Sequence, residues 1–516
     1  MTRRWRSSGR FPLAEAAAQA PPNWSSILTL LTPAAAVALP VALYMRTLAP
    51  NVGDGDSAEL ATVSVTFGTP HSPGYPLYTL LARAVWYVPF GNPAFRVNLL
   101  STTAAAVALA CTYAIIARVS GRRLPALFGT WLLGLALPFW FYATVAEVYT
   151  LDAALFAATM LFLLRWRDTE NTRDLVLAFV CFGLSMTNRT TNLLSLPAIA
   201  LFLAPDLWRT PRRTVIASLA TLPPLALYGL LPLRSAIGGG YRWASPYQLD
   251  GTRVPLDLSD RSNFWWMLSS KPFQQWQHVY GWSERMAQAG IFGHDVWASL
   301  MAPGLVLAAA GVCAMVAKRP GAFALVLLMV LPQTLFFINY GVRDKRTLFI
   351  NTYVGLAVFA GYGLAYVSDF LERDLRLRYH TAAVACLVAV FAAVLVRASY
   401  TELDRSGDTG ARDQSKALLR IASPGAVVLG DWQEVAPLEY VQAAEGLRPD
   451  VLLVESWLVS DEQQRAMIAH AIQGGRNAYI YGRFGREEDF AEYKQTAAGA
   501  GISGWIQLSA PAPGTP

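Results

Sequence analysis

The sequence predicts a polytopic α-helical membrane protein that ends in a small α/β domain. Of its 516 residues, 54% are hydrophobic and 15% are charged, whereas soluble globular domains carry about 25% charged residues. The apolar residues are gathered in runs long enough to cross a bilayer, which takes about 20 residues. The last part of the chain instead alternates short strand-like runs with helix-like segments, a pattern typical of an α/β domain.

The apolar runs predict about eleven transmembrane helices of the usual spanning length. They cover 27–48, 97–118, 124–143, 148–165, 174–188, 190–207, 214–234, 298–317, 321–340, 347–367 and 379–397. The tail before them, 1–26, is basic and lacks a clear small-residue cleavage site. The first run is therefore interpreted as a retained helix and not as a signal peptide.

Lys and Arg fall mainly in alternate connections, and this distribution predicts the orientation, because cytoplasmic loops carry their excess. With a cytoplasmic N-terminal tail, three larger pieces lie outside the membrane domain 27–398: a first outer loop 49–96, a second outer loop 235–297 and the C-terminal domain 399–516. The protein is then an integral membrane protein, in the plasma or inner membrane if the source is bacterial, with an extracytoplasmic C-terminal domain.

The C-terminal domain is predicted to hold a mostly parallel sheet, from strand-like runs at 425–430, 450–455, 477–482 and 504–509. The four cysteines all lie in apolar runs, which indicates neither a disulfide framework nor a zinc site. The net charge of +7 is spread over short clusters, so no nucleic-acid partner is predicted. No cofactor is required by the sequence; a divalent metal is compatible with its carboxylates, but no metal-ligand spacing indicates one.

The first outer loop contains three acidic residues in close succession, Asp54, Asp56 and Glu59. Asp56 and Glu59 stand three residues apart and so share one face of a helix. A capping box at the start of that helix explains this spacing. A carboxylate just outside a spanning helix can also act as general base toward an acceptor hydroxyl. The two roles are compatible, and the weakly apolar segments 58–67 and 76–90 are interpreted as helices in the membrane interface.

Positive charge at two outer positions breaks the orientation rule and calls for an anionic partner. Arg189 is one, and the run that contains Arg343, Lys345 and Arg346 is the other. Arg suits phosphate because its planar guanidinium binds two oxygens at once, although snorkelling of Arg189 toward the interface is an equal alternative. His71, in a turn rich in Pro and Gly, can donate to a lipid phosphate or be a plain surface group.

Three further residues lie at the outer boundary of the fourth span: Glu147, Tyr149 and Asp152. Ionisable groups at this depth are candidates for a functional site, here an acceptor or sugar site. Hydrogen bonds between helices explain them equally well. The second outer loop is dense in tryptophan, whose rings favour the headgroup level and also stack on sugars.

Several sequence blocks together resemble one family. They are Gly55–Leu60, Pro70–Tyr78, Phe90–Ser101, Ala146–Tyr149 and Ser185–Asn188. These blocks resemble the signature of the "domain of unknown function 2723" family, which includes the eukaryotic plexin O-mannosyltransferase and is placed among the GT-C glycosyltransferases. His-Ser-Pro stands here where His-Pro-Pro is more usual in that family.

The resemblance implies a GT-C fold and a polyprenyl-phosphate-linked sugar as donor. It also implies Asp56 as the base, with Glu59 or Asp54 in support, and Arg189 and Arg346 as a phosphate clamp. The sugar would pass by direct displacement to a hydroxyl of a protein, glycan or lipid acceptor on the outer face. A transporter or flippase of lipid-linked saccharide, or a non-catalytic assembly subunit in the membrane, are the alternative functions.

Overall fold

The computed structural model describes residues 24–238, 240–342, 345–374, 379–482, 490–499 and 502–510. Its helices are α1 Trp24–Thr47, α2 Asp56–Thr66, α3 Pro76–Trp86, α4 Pro93–Ser120, α5 Arg123–Gly134, α6 Leu137–Ala143, α7 Tyr149–Thr169, α8 Thr172–Asn188, α9 Leu196–Arg209, α10 Pro211–Ser218, α11 Leu222–Leu225, α12 Leu230–Ile237, α13 Arg261–Leu268, α14 Trp282–Lys318, α15 Pro320–Ile338, α16 Ile350–Arg373, α17 His380–Leu403, α18 Gly410–Ile421, α19 Trp432–Glu445 and α20 Asp461–Gln473. Its strands are β1 Val427–Gly430, β2 Leu452–Glu455, β3 Ala478–Tyr481, β4 Lys494–Ala497 and β5 Trp505–Ser509.

Every apolar run in the sequence coincides with helix, so the predicted class of polytopic helical membrane protein is confirmed. Within the described ranges, eight segments are long and apolar enough to cross a membrane: Pro93–Ser120, Tyr149–Thr169, Thr190–Arg209, Pro211–Ile237, Trp282–Lys318, Pro320–Ile338, Arg346–Arg373 and His380–Leu403. A bent pair of helices makes a ninth if it counts as one span. The runs 27–48 and 174–188 coincide with α1 and α8, which are not among the eight.

Proline explains where two predicted spans depart from a straight helix. The run 124–143 is divided into α5 and α6, which meet at an angle of 71°, and Pro138 stands in the first turn of α6. The helix α14 begins at Trp282 and so shortens the second outer loop predicted to end at 297. It breaks at Met301, where φ is 52°, two residues before Pro303, because proline has no N–H to bond back into the preceding turn.

Two long helices, α14 and α16, approach each other through glycine at the centre of the membrane domain. A methyl group added at Gly311 would stand 1.8 Å from the Phe359 carbonyl oxygen, and one at Gly363 would stand 1.9 Å from that of Leu307. Small residues permit such close backbone contact in membranes, where burial of apolar surface does little to hold helices together. Helix α16 is buried over most of its length and forms the centre of this packing.

The first outer loop folds into α2 and α3, as the two weakly apolar segments predicted, but the expected capping box is wrong. Helix α2 starts at Asp56 and its N-cap residue is Gly55, with φ 55° and no side-chain cap. The amides of Ala58 and Glu59 bond to the Gly55 carbonyl instead. Glycine accepts this left-handed conformation without steric cost, and the carboxylates of α2 are left available for other partners.

The C-terminal domain is a five-stranded sheet in the order β2-β1-β3-β5-β4. Strand β1 pairs in parallel with β2 and β3, while β5 runs antiparallel to both β3 and β4. The expectation of a mostly parallel sheet thus holds only for its first three strands. All four predicted strands are present, and the fifth, β4, was missed because Lys494–Ala497 has no apolar alternation and is largely exposed.

Helix α2 also belongs to the core of the C-terminal domain. Val52, Ala58 and Ala61 lie in one buried cluster with Val435 and Ala436 of α19. The backbone N–H of the residue before α2 bonds across to the carbonyl of Gln433 at 3.4 Å. One face of α2 therefore packs on the C-terminal domain, while the face that carries its acidic side chains turns toward the loop that follows.

Candidate active site

Three of the predicted side chains meet at the start of α2. His71 Nδ1 lies 2.5 Å from Glu59 Oε2, and the His71 backbone N–H donates to Glu59 Oε1 at 2.7 Å. His71 Nε2 lies 3.9 Å from Asp56 Oδ2. The chain turn through the Pro-rich motif brings the histidine back over the helix face on which both carboxylates stand. This cluster of Asp56, Glu59 and His71 is called the acidic cluster below.

Burial separates the two carboxylates. The side chain of Glu59 is 0% exposed, whereas that of Asp56 is 29% exposed. Burial raises the pKa of Glu59 to about 7, although His71 opposes the rise. Burial by itself would lower the pKa of His71, but Glu59 and Asp56 outweigh it and raise the pKa to about 9. Near neutral pH these pKa directions favour a cationic histidine, and Asp56 is the carboxylate of the cluster that solvent can reach.

Aromatic rings enclose the histidine. The centroid of its ring lies 5.0 Å from that of Tyr75, 5.8 Å from Phe273, 5.9 Å from Trp432 and 6.1 Å from Trp243, all edge to face. The Tyr75 hydroxyl also lies 2.9 Å from His71 Nε2. Apolar walls of this kind exclude water and strengthen the charge interactions within them.

The C-terminal domain supplies one hydrogen bond to the cluster. Trp432, the first residue of α19, donates its indole Nε1–H to Asp56 Oδ1 at 2.7 Å. Sequence reasoning missed this residue, since it lies 376 positions away in the chain and no local pattern relates the two. Sequence reasoning also missed Tyr75, although it lies within the block Pro70–Tyr78 that carries the family resemblance.

A second polar group lies deeper in the helix bundle. Arg189 Nη1 contacts Asp152 Oδ2 at 2.8 Å, with both side chains buried. Asn192 donates to the other oxygen of Asp152, and Asn351 donates to Oδ2 at 3.0 Å. The arginine was predicted to snorkel or to bind phosphate; the structure places it in a buried ion pair, which rules out snorkelling to the interface.

Tyr75 lies between the acidic cluster and this arginine. Burial raises the pKa of Tyr75 well above its usual range, Tyr149 and Asp56 act in the same direction, and Arg189 opposes them. The Arg189 guanidinium lies 5.1 Å from the centre of the Tyr149 ring. The half-buried Tyr149 therefore belongs to the same region as the cluster, as the acceptor-site prediction requires, whereas Asp152 is engaged by its own partners.

Glu147 is buried beside α3 and α4. Its backbone N–H donates to Ser101 Oγ at 3.1 Å. The pKa of Tyr78 is raised mainly by burial of that tyrosine and further by the nearby Glu147 carboxylate. Asp54, by contrast, is exposed and is not one of the three groups that form the acidic cluster. The choice between Asp54 and Asp56 as base thus becomes a choice between an exposed loop residue and a member of a charged cluster.

The second cationic run lies on an exposed edge. Arg346 makes two contacts with the Asp295 carboxylate, at 3.1 and 3.2 Å, and its side chain is 62% exposed. Lys345 donates to Gln288 at 2.9 Å and lies 4.2 Å above the Tyr280 ring. Arg343 lies outside the described residues. His71, which was also predicted as a phosphate ligand, lies with the carboxylates and not with this run.

The acidic cluster also has the composition of a metal site. Asp56, Glu59 and His71 each offer a ligand atom, and these atoms lie within 4.8 Å of one another. Oxygen and imidazole ligands suit several divalent cations. A metal would need His71 neutral, because a protonated imidazole nitrogen cannot ligate, so such a site competes with the His71–Glu59 ion pair.

Comparison with solved structures defines the class of fold. The chain is similar to ArnT from Cupriavidus metallidurans in the apo state, with a TM-score of 0.62 and 11% identity over 95% of this chain and 100% of that one. The same enzyme bound to undecaprenyl phosphate aligns with a TM-score of 0.60 and 12% identity over 95% and 99% of the two chains. The Archaeoglobus fulgidus oligosaccharyltransferase tethered with an acceptor peptide aligns with a TM-score of 0.52 and 11% identity, over 87% of this chain and 69% of that one. The predicted GT-C fold is confirmed.

Sequence comparison then confirms the resemblance drawn from the motifs. Residues 56–211 match the family model of the Protein O-mannosyl-transferase TMEM260 N-terminal domain. The mouse Protein O-mannosyl-transferase TMEM260 is 26% identical over an aligned length of 461 residues, and the alignment covers 84% of this chain and 63% of that protein. The Dictyostelium discoideum protein of the same description is 26% identical over an aligned length of 234 residues, with 40% of this chain and 28% of that protein covered. The chain thus spans less than two thirds of the length of these relatives.

Proposed function

We propose that this chain is a glycosyltransferase that moves a sugar from a polyprenyl-phosphate-linked donor to an acceptor hydroxyl on the outer face of the membrane. Asp56 is the base, and Glu59 and His71 set its surroundings. The observation that carries the proposal is the acidic cluster, in which one accessible carboxylate stands beside a buried carboxylate and a histidine in an aromatic enclosure. The printed name of the mouse relative and the undecaprenyl phosphate bound to ArnT support the reaction class and the donor class.

The reaction forms one bond and breaks one at the anomeric carbon. The acceptor oxygen attacks that carbon, the bond from the carbon to the phosphate oxygen breaks, and Asp56 takes the hydroxyl proton. The polyprenyl phosphate leaves with the electron pair of the broken bond. A phosphate is a good leaving group, so one accessible carboxylate suffices, and Glu59, which is fully buried, holds His71 in its cationic form beside the developing negative charge.

The three predicted phosphate ligands Arg189, Lys345 and Arg346 take different parts in donor binding. Arg346 and Lys345 are exposed or half-exposed, and Arg346 can exchange its Asp295 contact for a phosphate, since both ligands suit the planar guanidinium. Arg189 keeps its buried partner Asp152 and contributes a fixed positive field. The name of the mouse relative points to mannose as donor sugar and to a protein hydroxyl as acceptor, and these are the first substrates to test.

Basic residues at the end of the helix bundle opposite the acidic cluster favour an extracytoplasmic position for the site. Ion pairs gather where α4, α7 and α16 end, at Arg118–Asp168 and Arg122–Asp369, while the acidic cluster lies near the start of the same helices. Basic residues at one end of a bundle mark the cytoplasmic side. We accordingly place the cluster and the C-terminal domain on the extracytoplasmic side.

The test compares two neighbouring carboxylates in one assay. Purified protein in lipid nanodiscs receives polyprenyl-phosphate mannose and an acceptor peptide rich in Ser and Thr, and released polyprenyl phosphate is measured together with glycopeptide. Asp56→Asn should lower the rate by about 10² to 10⁴-fold, the usual contribution of a general base. Asp54→Asn, its matched control on the same loop, should stay near the wild-type rate. Full transfer by Asp56→Asn would refute the assignment, and donor movement without phosphate release would favour a flippase.

A further inference from the structure

We infer that Trp432 of the C-terminal domain is a positioning residue for Asp56, so that the active site is completed across the junction between the membrane domain and the C-terminal domain. This inference rests on the proposed function of Asp56. Its starting point is the hydrogen bond from Trp432 Nε1 to Asp56 Oδ1 at 2.7 Å. Among the described residues outside the first outer loop, Trp432 is the one that donates a hydrogen bond to this carboxylate.

The two oxygens of Asp56 are thereby divided between two tasks. Oδ1 is held by the indole N–H, while Oδ2 faces His71 Nε2 at 3.9 Å, which is beyond a direct hydrogen bond. Oδ2 is therefore the oxygen free to take a proton from an acceptor hydroxyl. A carboxylate fixed through one oxygen cannot rotate away, and holding a base in its reacting orientation is worth a large factor in rate.

The surrounding chain keeps the indole in place. Gly55 lies against it, since a methyl group added there would stand 3.3 Å from Trp432 Cδ1. The Gly55 N–H also bonds to the carbonyl of Gln433 at 3.4 Å. On the other side, Asp431 caps α19 by accepting from the Trp432 backbone N–H at 2.8 Å. The tryptophan is thus anchored at its backbone and along its ring edge, with its indole N–H directed at Asp56.

Trp432 stands where the C-terminal sheet would place a functional residue. It is the second residue after β1, the central strand of the three parallel ones, and the carboxyl ends of parallel strands are where α/β domains bind ligands. Trp457, which follows β2, lies 5.4 Å from Trp243 of the same aromatic enclosure. The carboxyl edge of the sheet therefore faces the acidic cluster, and this explains what the domain contributes.

The test uses two substitutions that separate the hydrogen bond from the packing. Trp432→Phe keeps an aromatic ring but removes the donor. Trp432→His keeps a five-membered ring with a nitrogen at the position of the indole Nε1 but removes the second ring. Trp505→Phe, in β5 of the same domain and outside the acidic cluster, is the matched control. All are measured as full chains in nanodiscs over a range of polyprenyl-phosphate mannose concentrations, so that kcat and KM are obtained separately.

The expected result is that Trp432→Phe lowers kcat about tenfold with little change in KM for the donor. Trp432→His should stay within about threefold of wild type. The groups that face Asp56 are His71 from the loop, Glu59 from α2, Tyr75 from the start of α3 and Tyr149 from α7, and all are unchanged by these substitutions.

Two outcomes would overturn the inference. One is a Trp432→Phe variant that keeps the kcat of the wild type. The other is a Phe variant that is more active than the His variant, because loss of packing alone would give that order. If the Phe variant does not elute as a single species, the His variant decides, and its loss of more than about tenfold while monodisperse overturns the inference. Asp56→Asn, measured in the same assay, separates failure of the proposed function from failure of this inference. If Asp56→Asn is active, the proposed function fails as well; if it is inactive, only the role of Trp432 is in question.

Discussion

Replacing Glu59 with Gln should largely remove the fall in the protein's stability between pH 6.5 and 9. In the wild type, His71 is held cationic by a carboxylate that is 0% exposed. The variant keeps the size of the side chain but removes its charge. Without that charge, burial dominates His71 and favours its neutral form, so the proton that the folded protein holds near neutral pH is lost.

The magnitude follows from the pKa of His71, raised from 6.5 to about 9. A tenfold change in proton affinity is worth about 1.4 kcal/mol, so the rise corresponds to about 3 kcal/mol. Because the folded pKa lies above the unfolded one, this stability is fully present below pH 6.5 and is lost as the pH rises through about 9. Glu59, whose pKa burial raises from 4.5 to about 7, acts with the same sign, since its stabilising proton is lost as the pH rises through about 7.

The assay is thermal unfolding in nanodiscs at steps from pH 6.5 to 9, read as the difference in Tm between variant and wild type. The Tm of Glu59→Gln should rise relative to that of the wild type as the pH rises. Glu445→Gln is the control: Glu445, paired with Lys416 and Arg412, has a lowered pKa and does not titrate in this range, so its offset should stay constant. A constant offset for Glu59→Gln as well would refute the assignment of the cationic state to His71.

Three further predictions concern the membrane domain. Asp152→Ala should destabilise the protein by about 3–5 kcal/mol because it strands the buried Arg189 charge, and the double variant with Arg189→Ala should cost less than the two single losses combined, as measured by denaturant unfolding. Gly311→Ala should lower the free energy of unfolding by about 3 kcal/mol or more by overpacking and should broaden the size-exclusion peak. Gly290 lies on the same helix, and a methyl group added there would meet no atom within 4 Å, so Gly290→Ala should leave the peak sharp. Arg346→Ala should change stability by less than about 1 kcal/mol and raise KM for the lipid-phosphate donor about tenfold with kcat nearly unchanged; an unchanged KM would remove Arg346 from the donor site.

The membrane architecture was predictable because each span is recorded locally as a run of apolar residues. The C-terminal strands were predictable for the same reason, apart from β4, whose residues Lys494–Ala497 are polar and exposed. The break at Met301 was not, because Pro303 alone does not say whether a membrane helix kinks or continues. The prediction of a capping box was wrong because Gly55 occupies the N-cap position of α2. The spacing between Asp56 and Glu59 does not show which residue caps the helix.

The site was only half visible in the sequence. Asp56, Glu59 and His71 lie within one loop and share recognisable motifs, so their choice as candidates did not need the fold. Their mutual geometry did, because it depends on a turn that brings His71 back over α2. Trp432 lay beyond sequence reasoning altogether, since contacts across the two domains leave no periodic signal in the chain.

The sharing of α2 between two cores has a consequence for how this protein can be divided. Ala58 and Ala61 are part of the hydrophobic interior of the C-terminal domain, although they are encoded some 350 positions before it. A chimaera that exchanges only the segment after α17 would leave α2 against a foreign surface. Domain swaps and evolutionary recombination should therefore treat the first outer loop and the C-terminal domain as one inherited unit.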